Sequence, residues 1–256
     1  MLRFEKQLTC PVCSEAPADN ARRYTASYAS IQTDFVTCQN CGVIWQVTRL
    51  ADDYLPEYYR DVYRQLTAPN LAAQTQTAKV GKLRAQIQAD WLAQFLLGVD
   101  TALDYGCSGG WLMDALAEKG VKVSGVEMDT SDMSKPARDK YEVFDTIEDA
   151  PGKYDLITMS HVLEHFNHPL NALPAIVAKL KPGGMLFVDV PNYRACNHAM
   201  ILHHPVAYDA ASLAKTLGMA GMEVTEYTFY DWDNTPLDKY LMMAAIKPKP
   251  TRQRRK

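Results

Sequence analysis

From residue 101 onward, short apolar runs alternate with stretches whose apolar residues recur every three or four positions. Ala102-Leu103-Asp104-Tyr105 closes one such run. Trp111, Leu112, Ala115 and Leu116 then fall on one helical face, with Asp114, Glu118 and Lys119 on the other. Strand-like runs follow at 122–128, 141–147, 154–160, 185–190, 222–230 and 240–246. Helical spacing separates them at 131–140, 170–180 and 210–220, and Lys181-Pro-Gly-Gly184 ends the second of these helices before the next strand. This alternation predicts an α/β fold: a Rossmann-like, mostly parallel seven-stranded sheet with helices on both faces and right-handed crossovers.

Upstream of residue 101 the pattern changes. Residues 22–28 and 31–36 read as a hairpin, and 45–50 as another strand-like run. Tyr54, Tyr58, Tyr59 and Tyr63 share one helical face if a helix begins near Pro56. That face either packs the N-terminal segment onto the main domain or closes over a ligand site and offers hydroxyls to it. Residues 67–81, rich in Ala, Thr and Gln, read as a linker or weak helix. Leu83, Ile87, Trp91, Leu92 and Phe95 give a better amphipathic helix over 81–97. The expected division is a small N-terminal unit (1–50), a helical connector or lid (51–97), an α/β core (98–249) and a basic tail (250–256).

A chain of 256 residues has room for one large α/β domain plus a small appendage. No apolar run is long enough to span a bilayer, and MLRFEKQLTC lacks the apolar core of a signal peptide, which predicts a soluble, cytoplasmic protein. The net charge of −3 hides an asymmetry. The last ten residues, KPKPTRQRRK, hold six basic side chains and no acidic one; without them, 21 basic side chains face 30 acidic ones. A body at −9 is a poor surface for a nucleic-acid backbone. The tail reads as a solubilising end or, alternatively, as a contact for an anionic partner.

Four of the six cysteines occur as Cys10-Pro-Val-Cys13 and Cys38-Gln-Asn-Cys41. Each pair can wrap a tight knuckle around one ion, and two knuckles close a tetrahedral site. Gly42 suits the turn that directs backbone N–H groups at sulfur. In a cytosolic chain, structural zinc held by Cys10, Cys13, Cys38 and Cys41 is favoured over two disulfides. The predicted hairpin between the pairs makes the unit a zinc ribbon. Its coordination is closed, so it supports the fold and does no chemistry.

Gly106, Gly109 and Gly110 join the strand at 101–105 to the next helix with almost no side-chain bulk. Such a turn exposes backbone N–H groups at a helix start and lets a ligand approach the backbone. Glu127, ending the next strand 23 residues after Asp104, is placed to accept both hydroxyls of a ribose bound over that turn. Asp104 is placed to orient the turn or receive an amino group of the ligand. These features fit a dinucleotide oxidoreductase and an adenosyl-cofactor enzyme equally well.

The stretch Tyr154-Asp-Leu-Ile-Thr-Met-Ser-His161-Val-Leu-Glu164-His165-Phe-Asn-His168-Pro169, with Leu180-Lys-Pro-Gly-Gly184 after it, separates the two. Together with Asp104-Tyr-Gly-Cys-Ser-Gly-Gly110, Glu127, Val190-Pro-Asn192 and Ser212–Val224, it resembles the class I S-adenosylmethionine-dependent methyltransferases. The likeness covers roughly residues 101 to 247 and is greatest to the group acting on small molecules, lipids and sugars. A four-cysteine ribbon followed by a tyrosine-rich segment also resembles a bacterial subset whose members often modify sugars. The resemblance implies S-adenosylmethionine as cofactor. It implies that Asp104, Gly106 and Ser108 meet the methionine end, that Glu127 holds the ribose, and that Met128 flanks the adenine. Thr146 and Ile147, with Asp145 as an alternative, meet the adenine edge, and Ser160 and His161 face the methyl group. Ser108 stands where the family's Gly-x-Gly-x-Gly turn has its middle glycine. Cys107, within the cofactor turn, reads as packing rather than as a nucleophile.

An oxygen acceptor usually needs a base, and imidazole suits the task near neutral pH. His161 is the first candidate, followed by His203 and His204 in the segment before the penultimate helix. His165 reads as satisfying backbone groups, and Asn192 and Tyr193 as lining the acceptor side. His161-Val-Leu-Glu-His165 also matches the zinc-peptidase pattern His-x-x-Glu-His. That pattern needs a long helix, whereas an apolar strand runs into His161 and Pro169 cuts the segment short. The expected function is therefore methylation of a small-molecule acceptor, a sugar, glycan or other hydroxylated metabolite. The alternatives are a nucleic-acid or protein methyltransferase docking through ribbon and tail, and a non-catalytic S-adenosylmethionine-binding module.

Overall fold

The computed structural model describes residues 2–28, 30–129, 131, 133–232 and 238–250; the basic tail from residue 251 on lies outside them. In chain order the N-terminal elements are β1 (Phe4–Lys6), β2 (Arg23–Tyr28), β3 (Ile31–Thr37), β4 (Ile44–Gln46) and β5 (Thr48–Leu50). The connector holds α1 (Leu55–Glu57), a π-helical turn at Tyr58–Val62, α2 (Tyr63–Thr67) and α3 (Leu71–Leu92). The core continues with β6 (Thr101–Tyr105), α4 (Trp111–Glu118), β7 (Lys122–Val126), α5 (Lys135–Lys140), β8 (Val143–Phe144) and β9 (Tyr154–Ser160). It ends with α6 (Pro169–Ala178), β10 (Leu180–Pro191), β11 (Val206–Ala207), α7 (Ala210–Met219), β12 (Glu223–Tyr230) and β13 (Tyr240–Ile246).

Seven strands form one mixed sheet in the order β12-β13-β10-β9-β6-β7-β8. All run parallel except β13, which is antiparallel to both its neighbours. Side chains alternate across this sheet, as its pleat requires. Ala102, Leu156, Phe187 and Met242 face a cluster built on Ala85, Leu92, Leu112 and Leu116 of α3 and α4. Their successors Leu103, Ile157, Val188 and Met243 face Leu173 and Ile176 of α6 and Leu213 and Leu217 of α7. Among the described residues no helix is long and apolar enough to cross a membrane.

Three stretches decide between or depart from the sequence expectations. Of linker and weak helix, residues 67–81 take the helix: α3 begins at Leu71, with Asn70 capping it by accepting from the Ala73 N–H at 3.0 Å. Ala, Gln and Lys favour helix without an apolar face, so periodicity undervalued the stretch. Gly81 sits inside this helix because Trp111 packs against it; a Cβ there would come within 2.1 Å of the indole. The Lys181–Gly184 segment does not precede the fifth strand of the sheet but belongs to it, as a register shift between Leu180 and Met185 of β10. The third strand is only the two residues of β8.

The N-terminal hairpin belongs to a second sheet, ordered β11-β4-β3-β2, whose edge strand β11 comes from residues 206–207. Val206 pairs with Trp45 and Ala207 with Ile44. Gln46, wholly buried, donates to the carbonyls of Ile201 at 2.7 Å and Leu202 at 3.0 Å. The cysteine-bearing segment thus clamps the chain just before the penultimate helix.

Candidate active site

The turn from β6 to α4 hangs over the end of β7: the Gly106 and Cys107 N–H groups donate to the Val126 carbonyl at 2.7 and 3.2 Å. Gly106 has φ +78°, and a Cβ there would meet Val162 at 2.5 Å, so the position excludes side chains on two grounds. Ser108, at the place of the family's glycine, takes φ +46°. Two contacts hold it: its N–H donates to Glu127 Oε2 at 2.8 Å, and its hydroxyl lies 3.3 Å from Arg64 Nη2. Glu127 also accepts from the Asp129 N–H at 2.8 Å, so one buried carboxylate ties the first and second strand-end loops together. Arg64, on α2, closes over both loops by an ion pair to Asp129 at 2.8 Å.

Asp104 is buried and accepts from the Thr158 hydroxyl at 2.6 Å. Burial pushes its carboxyl up to about 7; the Thr158 hydrogen bond opposes this and the charge of Glu127 adds to it. Burial likewise raises Glu127, against the two backbone donors. Cys107 is buried with its thiol pushed up by desolvation, which fits packing.

A cavity of about 930 Å³ opens above this edge of the sheet. Asp104, Gly106, Cys107, Ser108, Glu127, Met128, Thr146, Ile147 and Ser160 all line it, as do Asp145, His161 and His204. Asp145 is engaged by Arg138 at 2.9 Å.

The other end of the cavity is assembled from distant segments. His161 follows β9 in a left-handed conformation, φ +55°, with its N–H donating to the Asp189 carbonyl at 2.8 Å. Its Nε2 is buried without a hydrogen-bond partner, 3.9 Å from Asp189 Oδ2, and its Nδ1 lies 3.4 Å from Glu164 Oε1. Burial, with Arg84 and His204 adding to it, holds this imidazole well below its ordinary value and hence neutral. Asp189 is fixed by Gln88 and by the Tyr230 hydroxyl, and burial pushes it up to about 6.

His165 does not serve the backbone alone. It lines the cavity, its Nδ1 3.0 Å from the Tyr59 hydroxyl, with ring centroids 4.7 Å from His204 and 5.5 Å from His203. His203 lies one layer back, against Tyr28 and Tyr63, and is not part of the cavity wall. Nor are Asn192 and Tyr193: the first bonds the Asp238 carbonyl and the second Asp209. The tyrosine segment divides between two environments. Tyr54 and Tyr58 pack with Leu50 and Ala51, while Tyr59 and Tyr63 reach the cavity across the π-helical turn.

Arg84, Gln88 and Glu164 were not singled out from sequence. The signal for the first two was an i, i+4 pair of polar residues on the face of α3 that also carries the buried Ala85 and Ala89. Arg84 lines the cavity, makes no ion pair among the described residues, and its charge acts on Asp104, His161, Glu164 and Asp189.

A glycine turn over a strand-end acid, on a sheet of this order, defines the fold of the class I S-adenosylmethionine-dependent methyltransferases. A family model described as a methyltransferase domain matches residues 57–230, and the chain belongs to that family. It is 29% identical over 118 residues to the ubiquinone biosynthesis O-methyltransferase of Dechloromonas aromatica and 30% over 119 residues to that of Erwinia tasmaniensis. Each alignment covers 41% of this chain, and the chain spans about half the length of the curated relatives it matches. The fold is shared with the Burkholderia thailandensis 1,6-didemethyltoxoflavin-N1-methyltransferase, solved with its acceptor and S-adenosylhomocysteine. That match has a TM-score of 0.61 at 18% identity, over 88% of this chain and 100% of that one. Magnesium protoporphyrin IX methyltransferase from Synechocystis, solved with S-adenosylmethionine, gives 0.54 at 17% identity, over 76% and 96%.

Proposed function

We propose that the protein transfers a methyl group from S-adenosylmethionine to a hydroxyl of a small-molecule acceptor, a sugar or other hydroxylated metabolite. One observation carries this reading: a single cavity is lined at one end by Asp104, Ser108 and Glu127 and at the other by His161, His165 and His204. Its volume lies in the roughly 300–1,000 Å³ range of small-ligand sites. The named O-methyltransferase relatives support an oxygen acceptor.

The residues fit the cofactor. The Gly106 cradle admits no side chain, and Glu127 has acceptor capacity left for ribose hydroxyls after its two backbone bonds. Arg84, in the cavity wall, is suited to the cofactor carboxylate, and Asp104 to its ammonium group. The cofactor supplies an already activated methyl group, so the protein's work is alignment, exclusion of water and removal of one proton. His161 does the last. Held neutral by burial and lining the cavity, its imidazole would take the acceptor's hydroxyl proton while the cofactor supplies the methyl group. Asp189, held by Gln88 and Tyr230, then faces the charged imidazole.

The same reading gives Cys10, Cys13, Cys38 and Cys41 a structural zinc. Their sulfurs all lie within 4.8 Å of one another, and the Cys41 N–H points at the Cys38 sulfur at 3.4 Å. The nearest sulfur pairs, at 3.4 Å, are too far apart for disulfides. It divides the chain into a ribbon (1–50), a connector that covers the cofactor (51–97) and the core (98–249). The test is calorimetry with S-adenosylmethionine and S-adenosylhomocysteine, followed by turnover on a panel of glycosides, phenols and alcohols. His161→Ala should keep cofactor affinity and lose about 100- to 1,000-fold in kcat. Absence of cofactor binding by the wild type, or full activity in the variant, overturns the assignment.

A further inference from the structure

The His-Val-Leu-Glu-His segment does not form the helix that a peptidase needs: Leu163–His165 is a single 3-10 turn. That turn instead brings Glu164 and His165 together with His204 from the clamped segment. One ligand atom from each of the three lies within 4.8 Å of the others. We propose that Glu164, His165 and His204 bind a first-row divalent cation, with zinc or cobalt as the suited ions, at the acceptor end of the cavity.

Two features point to an ion rather than to packing. Glu164 is 1% exposed, and among the described residues neither of its carboxylate oxygens has a hydrogen-bond partner, the imidazole of His161 reaching no closer to Oε1 than 3.4 Å. The Nδ1 atom of His204 is equally buried and equally unpartnered. Buried polar atoms left this way are destabilising, most of all on a charged group, so a satisfied core would have supplied partners. The third member, His165, is held in orientation by the Tyr59 hydroxyl, the kind of outer contact that fixes a ligating imidazole.

The donor set selects the ion. Two imidazoles and one carboxylate suit Zn²⁺, Co²⁺ or Fe²⁺ rather than Mg²⁺, which prefers oxygen. Three protein ligands leave a coordination position open, unlike the four-cysteine cluster. His165 and His204 line the cavity while Glu164 lies behind them, so the open side faces the acceptor. On the methyl-transfer reading given above, the ion takes an acceptor oxygen and lowers its pKa, so His161 removes a more acidic proton.

The test uses the full chain, stripped of metal and reloaded with Zn²⁺ or Co²⁺. Wild type should bind one more ion per chain than Glu164→Gln or His204→Ala, measured by plasma emission spectrometry. With Co²⁺, the thiolate charge-transfer band of the cysteine cluster should be the same in all three proteins, which also controls for folding. The weaker absorption of a thiolate-free cobalt centre should appear only in wild type. Equal metal content in wild type and variants, with the thiolate band intact, overturns the proposal. If a variant fails to fold, titration of wild type alone decides: absence of a thiolate-free cobalt band once the cysteines are saturated also overturns it. Cofactor affinity separates this proposal from the methyl-transfer reading. Loss of the ion with cofactor binding unchanged locates the site here, whereas cofactor binding without any second ion removes the metal and leaves methyl transfer standing.

Discussion

The two ends of the cavity are built in different ways. The end proposed for the cofactor is one β6–turn–α4–β7 unit in which Asp104, Ser108 and Glu127 sit within 24 consecutive residues and Glu127 accepts from the Ser108 and Asp129 N–H groups. The acceptor end draws Tyr59 from the connector, His161 to His165 from the loop after β9, and His204 from a segment held by β4 of the N-terminal sheet. The first is a local motif that any right-handed β–α–β crossover produces. The second exists only when three distant segments dock, so changes far from the cavity should disturb acceptor chemistry and spare cofactor binding.

The largest separation should come from Glu127→Ala. It removes a buried carboxylate that holds the Ser108 and Asp129 N–H groups and, on the proposed reading, the ribose. Affinity for S-adenosylmethionine should fall roughly 100-fold, about 3 kcal/mol, by calorimetry. An unchanged affinity would break the comparison at its cofactor end.

A smaller effect, of opposite character, is expected from Gln46→Leu. Gln46 does not itself line the cavity, yet it carries the carbonyls of Ile201 and Leu202 directly before His203 and His204. Its loss should cost about 1–3 kcal/mol in stability by denaturant titration. The kcat/KM for acceptor should drop about 10-fold because His204 is misplaced, with cofactor affinity unchanged. Loss of both parameters together would mean that the two ends are not separable.

The mildest test sharpens the cofactor end alone. With its carboxyl near 7 in the free protein, Asp104 is mostly protonated below that pH, and a cationic ligand must displace the proton. Affinity for S-adenosylmethionine should therefore rise by no more than about tenfold per pH unit up to about 7 and then level off. Proton release should show in calorimetry across buffers of different ionisation enthalpy, and Asp104→Asn should abolish both effects. The sign for the cofactor-free protein is reversed. A value raised from 3.8 to about 7 contributes stability that is present at low pH and lost as pH climbs through that window.

What the sequence alone determined follows the same division. Strand and helix periods, the glycine turn and the strand-end Glu127 were legible because each depends on neighbours a few positions away or on one crossover. The cysteine spacing placed four sulfurs together for the same reason. The start of α3 at Leu71 was legible only as one of two readings because its residues favour helix without showing an apolar face, and the reach of Tyr59 depended on a π-helical turn that periodicity does not encode. Only the tertiary structure decided that His165 belongs to the cavity wall and His203 to the layer behind it. The histidines all look alike in sequence; the placement of His203 and His204 depends on Gln46 and the β4–β11 pairing, contacts between residues more than 150 positions apart.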